Sequence, residues 1–205
     1  MTKVVLFASM LCLSTIVFSQ SESSITERKV RFGFNFGANY SNLQSRVYLP
    51  ANAQIINGIG GSLGVFMDYS ISKHFIISPK TELSFNNSRV EFSNGENSVY
   101  SYDIFPTCLD FMTHLKYKFG DQKITPYILA GPNIKLPLSN KSKTSSDFKT
   151  NSDFAIDFGI GFENRTSFFI YAPELRFSLG LLNINDSPLL KSLNYNKISL
   201  ILNFK

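Results

Sequence analysis

The sequence predicts an all-β fold: an eight-stranded antiparallel up-and-down transmembrane β-barrel, preceded by a cleaved signal peptide. Three observations predict it. Apolar residues alternate with small or polar residues over most of the chain, and this period of two is a strand pattern. Long and short connections alternate between the predicted strands. Beyond residue 20, no apolar run approaches the ~18 residues that a membrane-spanning helix needs.

The composition provides enough apolar surface for a core or for a face that contacts lipid. Of the 205 residues, 43% are hydrophobic and 17% are charged, with 20 Phe, 9 Tyr and no Trp. Disordered chains combine low hydrophobicity with high net charge, so this composition excludes disorder. The formal net charge of +5 is spread along the chain and forms no basic stripe. We therefore expect no nucleic-acid partner.

The first 19 residues have the pattern of a secretory signal peptide. Lys3 supplies the positive charge, and an apolar segment follows over 4–18 that is too short for a stable bilayer anchor. Val17 and Ser19 occupy the −3 and −1 positions of a cleavage site that leaves Gln20 as the new N-terminus. A buried N-terminal helix is the alternative, but no amphipathic pattern continues after this segment.

This cleavage divides the chain into three parts. They are a signal peptide (1–19), a periplasmic N-terminal lead-in (20–30) and the outer-membrane barrel domain (31–205). Cleavage also removes Cys12 and leaves Cys108 alone, so no internal disulfide can form. A lone cysteine of this kind is typically a small apolar filler.

Alternation predicts eight strands between residues 32 and 205. Aromatic residues alternate with Gly and Asn in the first strand, and Phe and Ile alternate with Ala, Asp and Gly in the sixth. One face of each strand is therefore apolar and the other is small or polar. The predicted strands cover about 32–41, 58–71, 75–86, 102–119, 124–137, 154–163, 168–182 and 196–205.

The connections favour a membrane barrel over a soluble sheet. A soluble β-sandwich or a lipocalin-like barrel also alternates, but a Greek-key sandwich distributes its long connections differently. Outer-membrane barrels have short periplasmic turns and longer outer loops, and this places the N-terminus in the periplasm. The short connections are 72–74, 120–123 and 164–167, and the long ones are 42–57, 87–98, 138–152 and 183–195.

The two faces of the strands support the same interpretation. The polar face is rich in Gly, Ser and Asn with single charges, which suits a narrow lumen. The apolar face is rich in aromatic residues, as expected at a lipid interface. Lipid offers no partner to backbone N–H and C=O groups, so the C-terminal segment 196–205 must pair with the first strand.

Several stretches resemble the small outer-membrane barrels of the Bacteroidetes lineage, called PorT-like or porin-family proteins, of the OmpA/OmpX-like eight-stranded type. The resemblance implies an outer-membrane location and an eight-stranded barrel, in a family whose members have diverse roles. The chain departs from the family at Met112, where a proline is usual, and in an extra SYDIFPT segment before strand four. The matching stretches are FGFNFGANYSNL, GSLGVFMDYSISKHFIISPKTELSF, LDFMTHLKYKFG, PYILAGPNIKLPL, FAIDFGIGFE and PELRFSLGLLNI.

An eight-stranded barrel is just wide enough for side chains to fill its interior, so we expect a plugged lumen. Glu82 and Arg176 each lie about eight residues from the preceding short turn, which places them at similar heights at ~3.3 Å per residue. We predict that Lys80, Glu82, Glu174 and Arg176 form a polar network across the lumen. The full set of charges expected to face inward is Asp68, Lys80, Glu82, Lys116, Lys118, Asp157, Glu163, Glu174, Arg176 and Lys197.

Catalytic and metal chemistry have little support. The chain has 2 His: His74 lies in a short turn, and His114 is expected to face inward near Asp110. Lipid-modifying barrel enzymes use a His with a Ser and an acid, but the spacing places no Ser here. Two isolated His and one remaining Cys make no ligand cluster. We expect no enzyme, no cofactor and no metal site.

A specific function is expected in the long loops, which vary freely on a rigid scaffold. The third long loop carries Lys141, Lys143 and Lys149 around Phe148. These residues could contact lipopolysaccharide headgroups or a surface partner, and the alternative is a solvated loop. Other expected partners are outer-membrane lipid, the barrel-assembly machinery and a secretion partner.

Two classes of function remain open at this point. The first is a non-enzymatic barrel for envelope structure, surface interaction or assistance to secretion. The second is a small channel or transport component, and a lipid-modifying enzyme is a remote third possibility.

Overall fold

The computed structural model describes residues 29–45, 50–93, 99–138, 151–185 and 192–205. The predicted signal peptide and the lysine-rich part of the third long loop lie outside these residues. Within the described ranges, no helix has the length and hydrophobicity needed to cross a membrane. The strands are β1 (Val30–Gln44), β2 (Ala53–Ile56), β3 (Gly58–Ser70), β4 (Phe75–Phe85), β5 (Ser88–Ser93), β6 (Val99–Ile104), β7 (Thr107–Lys118), β8 (Ile124–Pro137), β9 (Asp153–Arg165), β10 (Ile170–Gly180) and β11 (Asn194–Phe204).

Eight of these strands form a closed antiparallel barrel in the order β1-β11-β10-β9-β8-β7-β4-β3. The first and last strands close it: β1 pairs with β11 from Phe34↔Phe204 to Gln44↔Asn194, and β1 also pairs with β3. Closure leaves no sheet edge exposed to lipid. The predicted all-β, eight-stranded up-and-down barrel is confirmed.

Apolar side chains face outward and polar side chains face the bore. In β11, Leu200 is 63% exposed while its neighbour Ser199 is 1% exposed. Phe32 on β1 is also 63% exposed, and Asn35 on the same strand is 2% exposed. This arrangement is the reverse of a soluble barrel and suits a protein whose solvent on the outside is hydrocarbon.

Two of the predicted long loops contain strands instead. β2 lies within 42–57 and β5 within 87–98, and together with β6 they form a separate three-stranded sheet in the order β2-β5-β6. The prediction of loops was wrong for these segments. In β5, Val90 and Phe92 alternate with Arg89 and Glu91, and a strand lets the two apolar side chains pack on other apolar residues while the charged ones face away. We call this element the small sheet.

The fourth predicted strand, 102–119, is broken into β6 and β7. Phe105 has a φ of 48°, a left-handed conformation that ends regular pairing, and Pro106 has no N–H to donate to a ladder. Asn86 stabilises the break, since its backbone N–H donates to the Pro106 carbonyl at 3.1 Å and its side chain donates to the Phe105 carbonyl at 3.2 Å. The chain therefore leaves the small sheet here and enters the barrel wall at β7.

An apolar cluster joins the small sheet to the barrel end that carries the long connections. The Phe105 ring packs edge-on against the Tyr195 ring at a centroid distance of 5.1 Å. Cys108 is fully buried within the cluster, as expected of an apolar filler. We call this group the mouth cluster; it contains Leu43, Val90, Phe92, Tyr102, Ile104, Phe105, Cys108, Ile184, Leu193 and Tyr195.

Candidate functional site

The bore of the barrel collects the charged side chains that alternation turns inward. All ten charges expected to face inward are buried, and none is more than 4% exposed. Asp110, Lys135 and Asp153 join them as buried charges that sequence reasoning did not include in the set. Charges removed from water must be paired or hydrogen-bonded, so the partners of each one determine what the bore can do.

The structure brings Lys80, Glu82, Glu174 and Arg176 together in the middle of the bore. Arg176 Nη2 lies 2.5 Å from Glu82 Oε2, and Lys80 Nζ lies 3.2 Å from Glu174 Oε1. Arg176 Nη1 is also 3.7 Å from Glu174 Oε1. Three strands separate β4 from β10 on either side of the barrel, so the Arg176–Glu82 and Lys80–Glu174 pairs cross its full diameter.

A second layer of the bore lies closer to the mouth cluster. Lys197 Nζ on β11 lies 2.5 Å from Asp110 Oδ2 on β7, and Ser84 donates to the same oxygen at 2.9 Å. β7 and β11 are also opposite strands in the barrel order. Lys197–Asp110 is therefore a third ion pair across the diameter. We call the three pairs Lys80–Glu174, Glu82–Arg176 and Lys197–Asp110 the cross-bore pairs.

The third layer lies at the end with the short connections. Lys116 Nζ is 3.0 Å from Asp68 Oδ1. Lys205, the last residue, bonds to both Asp68 and Glu163, and Lys118 Nζ lies 3.4 Å from Glu163 Oε2. This layer links residues from β3, β7 and β9 with Lys205 at the end of the bore that carries the short connections.

Neutral and aromatic groups fill the space between the charges. Tyr127 donates its hydroxyl to Glu174 Oε2 at 2.9 Å, and Asn35 donates its amide to Glu82 Oε1 at 2.9 Å. The Phe66 ring lies beneath two ammonium groups, with its centroid 5.4 Å from Lys80 Nζ and 5.3 Å from Lys116 Nζ. Such cation–π contacts strengthen in a desolvated site.

His114 does not face Asp110 as expected. Asp110 lies four residues away on the same strand, about 13 Å at ~3.3 Å per residue, whereas Nε2 of His114 lies 3.0 Å from Asp157 Oδ2 on β9. Ser178 donates to Asp157 at 2.5 Å, so the hydroxyl contacts the carboxylate and not the imidazole. A nucleophile-and-base pair requires the hydroxyl to bond to the imidazole, and this group therefore has the geometry of a packing network.

Candidate groups for other chemistry are limited in the part of the chain that the structure describes. No group of three or more His, Cys, Asp or Glu side chains there could hold a metal ion. Lys141, Lys143, Phe148 and Lys149, the predicted loop contacts, lie outside the described residues.

These features define a class of protein. A closed eight-stranded antiparallel barrel with an apolar exterior and a buried polar interior is a transmembrane β-barrel of the outer-membrane type. The chain belongs to the family described as outer membrane protein beta-barrel domain, whose model matches residues 18–186.

The chain is similar to several solved structures of outer-membrane proteins at low sequence identity. The outer membrane protein OprG from Pseudomonas aeruginosa is 12% identical, with 85% of this chain and 92% of that chain covered and a TM-score of 0.51. Neisserial surface protein A is 12% identical over 86% and 98% of the two chains, with a TM-score of 0.49. Ail of Yersinia pestis, in complex with the heparin analogue sucrose octasulfate, is 12% identical over 86% and 99%, with a TM-score of 0.44.

At this identity, the likeness to OprG shows the fold alone. No curated protein matches the chain.

Proposed function

We propose that the protein is an integral outer-membrane barrel with an occluded bore that works without catalysis. The observation that carries this proposal is the set of cross-bore pairs: three ion pairs reach across the full diameter, and their side chains are nearly fully buried. A solute would have to separate them, and leaving one buried charge without its partner costs about 3–5 kcal/mol. The bore is therefore structural, and function falls to the surfaces outside the membrane.

The small sheet supports a role at the long-connection end. Its outer face is polar: Gln54 is exposed, and Arg89 Nε pairs with Glu91 Oε1 at 2.7 Å with both side chains partly exposed. Its inner face packs on the mouth cluster, so it is held firmly to the barrel. A polar platform of this kind suits interaction with lipopolysaccharide or a surface partner, or the assistance to secretion that the PorT-like resemblance implies.

The proposed topology has the short connections and the N-terminus in the periplasm, after removal of residues 1–19. The exported chain then meets the barrel-assembly machinery before insertion into lipid. Membrane fractionation with a heat-modifiability gel tests location and closure together. We expect the protein in the outer-membrane fraction, a mobility shift on boiling, and an N-terminal sequence beginning at Gln20. Recovery in the soluble fraction without detergent would contradict the proposal.

Planar-bilayer recording tests the occluded bore against a channel. We expect the purified protein to insert without stable unitary conductance, because ion pairs fill its diameter. A general porin inserted into the same membrane is the positive control for detection. Reproducible unitary currents from the wild-type protein would favour the channel and remove the packed-bore account.

A further inference from the structure

The end of the barrel that carries the short connections exposes three lysines. Lys29 directly precedes β1, Lys73 lies in the connection between β3 and β4, and Lys123 lies in the connection between β7 and β8. All three residues are exposed, and within the described part of the chain none of them forms an ion pair. We call Lys29, Lys73 and Lys123 the basic rim.

The acidic side chains described at this end already contact other cations. Asp68 and Glu163 bond to the buried lysines of the third layer of the bore. Asp121, in the connection between β7 and β8, has its Oδ1 atom 2.6 Å from Arg165 Nη2 and 3.8 Å from Lys118 Nζ. The charge of the basic rim is therefore available to an anion outside the protein.

Exposed aromatic rings place the basic rim at the level of the lipid headgroups. Phe75 lies two residues after Lys73 and Phe119 lies four residues before Lys123, and these rings are 43% and 56% exposed. On β3, Tyr69 is 43% exposed. Aromatic side chains on the outside of a membrane protein concentrate at the boundary between hydrocarbon and headgroups. Lysines near that boundary extend their ammonium groups towards the headgroups.

The basic rim meets the surrounding lipid on two opposite sides of the barrel. The Ser70 N–H donates to the Lys29 carbonyl oxygen at 2.8 Å, which places the start of β1 beside the connection that carries Lys73. Lys123 precedes β8, and β8 lies four strands from β1 in either direction around the barrel. One lipid can therefore contact Lys29 and Lys73 together, while a second contacts Lys123.

The chemistry of the basic rim selects its ligand. A lysine ammonium group carries three N–H donors and no acceptor, and it binds phosphate as a point charge. A zwitterionic headgroup balances its phosphate with its own cation, whereas an anionic headgroup leaves that charge to be neutralised. Basic residues beside a membrane are accordingly attracted to anionic lipids.

We propose that the basic rim binds the phosphate groups of anionic phospholipids in the leaflet that surrounds the short connections. The lipid chains lie along the exposed aromatic rings, and the phosphate groups contact the ammonium groups of the lysines. The inference requires a barrel that spans a membrane, and it does not depend on the proposed surface role at the other end.

Electron paramagnetic resonance with spin-labelled lipids tests the proposal on the wild-type protein in phosphatidylcholine vesicles. It compares the association of spin-labelled phosphatidylglycerol with that of spin-labelled phosphatidylcholine. A lysine beside an anionic membrane surface changes binding by about five-fold, so we expect a clear preference for phosphatidylglycerol at low salt. At about 1 M salt, where the Debye length is about 3 Å, the preference should disappear. Equal association of the two lipids at low salt overturns the proposal.

Variants of the basic rim test whether these lysines carry the preference. Lys29→Gln/Lys73→Gln/Lys123→Gln should lose it, whereas the corresponding triple substitution to Arg keeps the charge and should retain it. A heat-modifiable mobility shift checks that each variant forms a closed barrel. A preference that survives in the Gln variant overturns the proposal.

Two further controls separate the basic rim from other sources of the same signal. Lys141→Gln/Lys143→Gln/Lys149→Gln removes the same charge from the third long loop and should keep the preference. Free glycerol phosphate should not displace the spin-labelled lipid, because acyl chains hold the lipid at a high effective concentration beside the rim. An equal loss in the loop variant, or displacement by free glycerol phosphate, would contradict a lipid site at the basic rim.

Discussion

Arg176 is the side chain on which most of the central layer of the bore converges. Its guanidinium contacts Glu82 and Glu174, lies 3.8 Å from Asp157 Oδ2 through Nε, and donates to Met112 Sδ at 3.0 Å. Arg is suited to such a position because its planar fork presents several donors and stays charged. Removing it would leave three carboxylates in a buried site without their shared cation.

We predict that Arg176→Ala lowers the stability of the barrel by about 3–5 kcal/mol, the usual cost of leaving buried charges unpaired. Thermal unfolding in detergent, followed by the gel mobility shift, measures the effect. Arg89→Ala is the matched control, because Arg89 pairs with Glu91 at a partly exposed site, and such pairs contribute only about 0–1 kcal/mol. Equal effects of the two variants would show that the central network does not stabilise the barrel.

Residue heights along each strand follow from counting, but contacts across the bore do not. Counting from the short turns predicts that Glu82 and Arg176 lie at one level, and they are in contact. Sequence spacing offered Asp110, four residues along the same strand, as a partner for His114, whereas His114 bonds to Asp157 on β9. Which residues of separate strands meet depends on the shear of the barrel, which no single segment of the sequence contains.

At the scale of strands, the close approach of β7 and β8 depends on Gly131. A Cβ at this position would collide with the carbonyl oxygen of Thr113 and approach the Cα of His114 to 2.9 Å. Both obstacles are backbone atoms, so a side chain could be accommodated only by moving a strand.

We therefore predict that Gly131→Ala lowers the urea midpoint of unfolding, because β7 and β8 must separate. Gly61→Ala is the control: it makes the same chemical change on β3, where the nearest atom to the added Cβ, the Gly37 carbonyl oxygen, is 3.5 Å away. We expect little change from it. Equal midpoints for the two variants would contradict the steric argument.

The attachment of the small sheet is the second element-scale prediction. Phe105 is fully buried against Tyr195, and removing a buried Phe side chain typically costs about 3–5 kcal/mol. We expect Phe105→Ala to release the small sheet, so that proteases cleave between residues 86 and 106 while the barrel keeps its heat-modifiable mobility. Phe168→Ala, which removes a ring that is 92% exposed, should not increase cleavage. Unchanged protease resistance of the Phe105 variant would contradict the role of the mouth cluster.

The barrel strands were predictable because their alternation is long and local, and the small sheet was not. β2 has 4 residues and β5 has 6, too few for a periodic signal to stand out from a loop. Their pairing also joins segments far apart in the chain, a contact that local patterns do not contain. The extra SYDIFPT segment marks a departure from the family before strand four, but the left-handed conformation of Phe105 that redirects the chain is visible only in the structure.

For the whole molecule, closure and filling of the bore depend on each other. The β1–β11 pairing closes the wall, and closure places β4 opposite β10 and β7 opposite β11. Only in that arrangement can the cross-bore pairs form. The cross-bore pairs in turn fill the bore, whose diameter matches two long side chains. The stability of the wall and the occlusion of the bore therefore depend on the same contacts.

A double-mutant cycle on Glu82→Gln and Arg176→Met tests this central claim most directly, with unfolding free energies measured in lipid. Because the two residues meet across the bore, we expect an interaction energy of about 1.5 kcal/mol or more, within the range for contacting charged residues. If the two effects add to within about 0.3–0.5 kcal/mol, as for independent sites, then Glu82 and Arg176 do not meet and the cross-bore account is wrong.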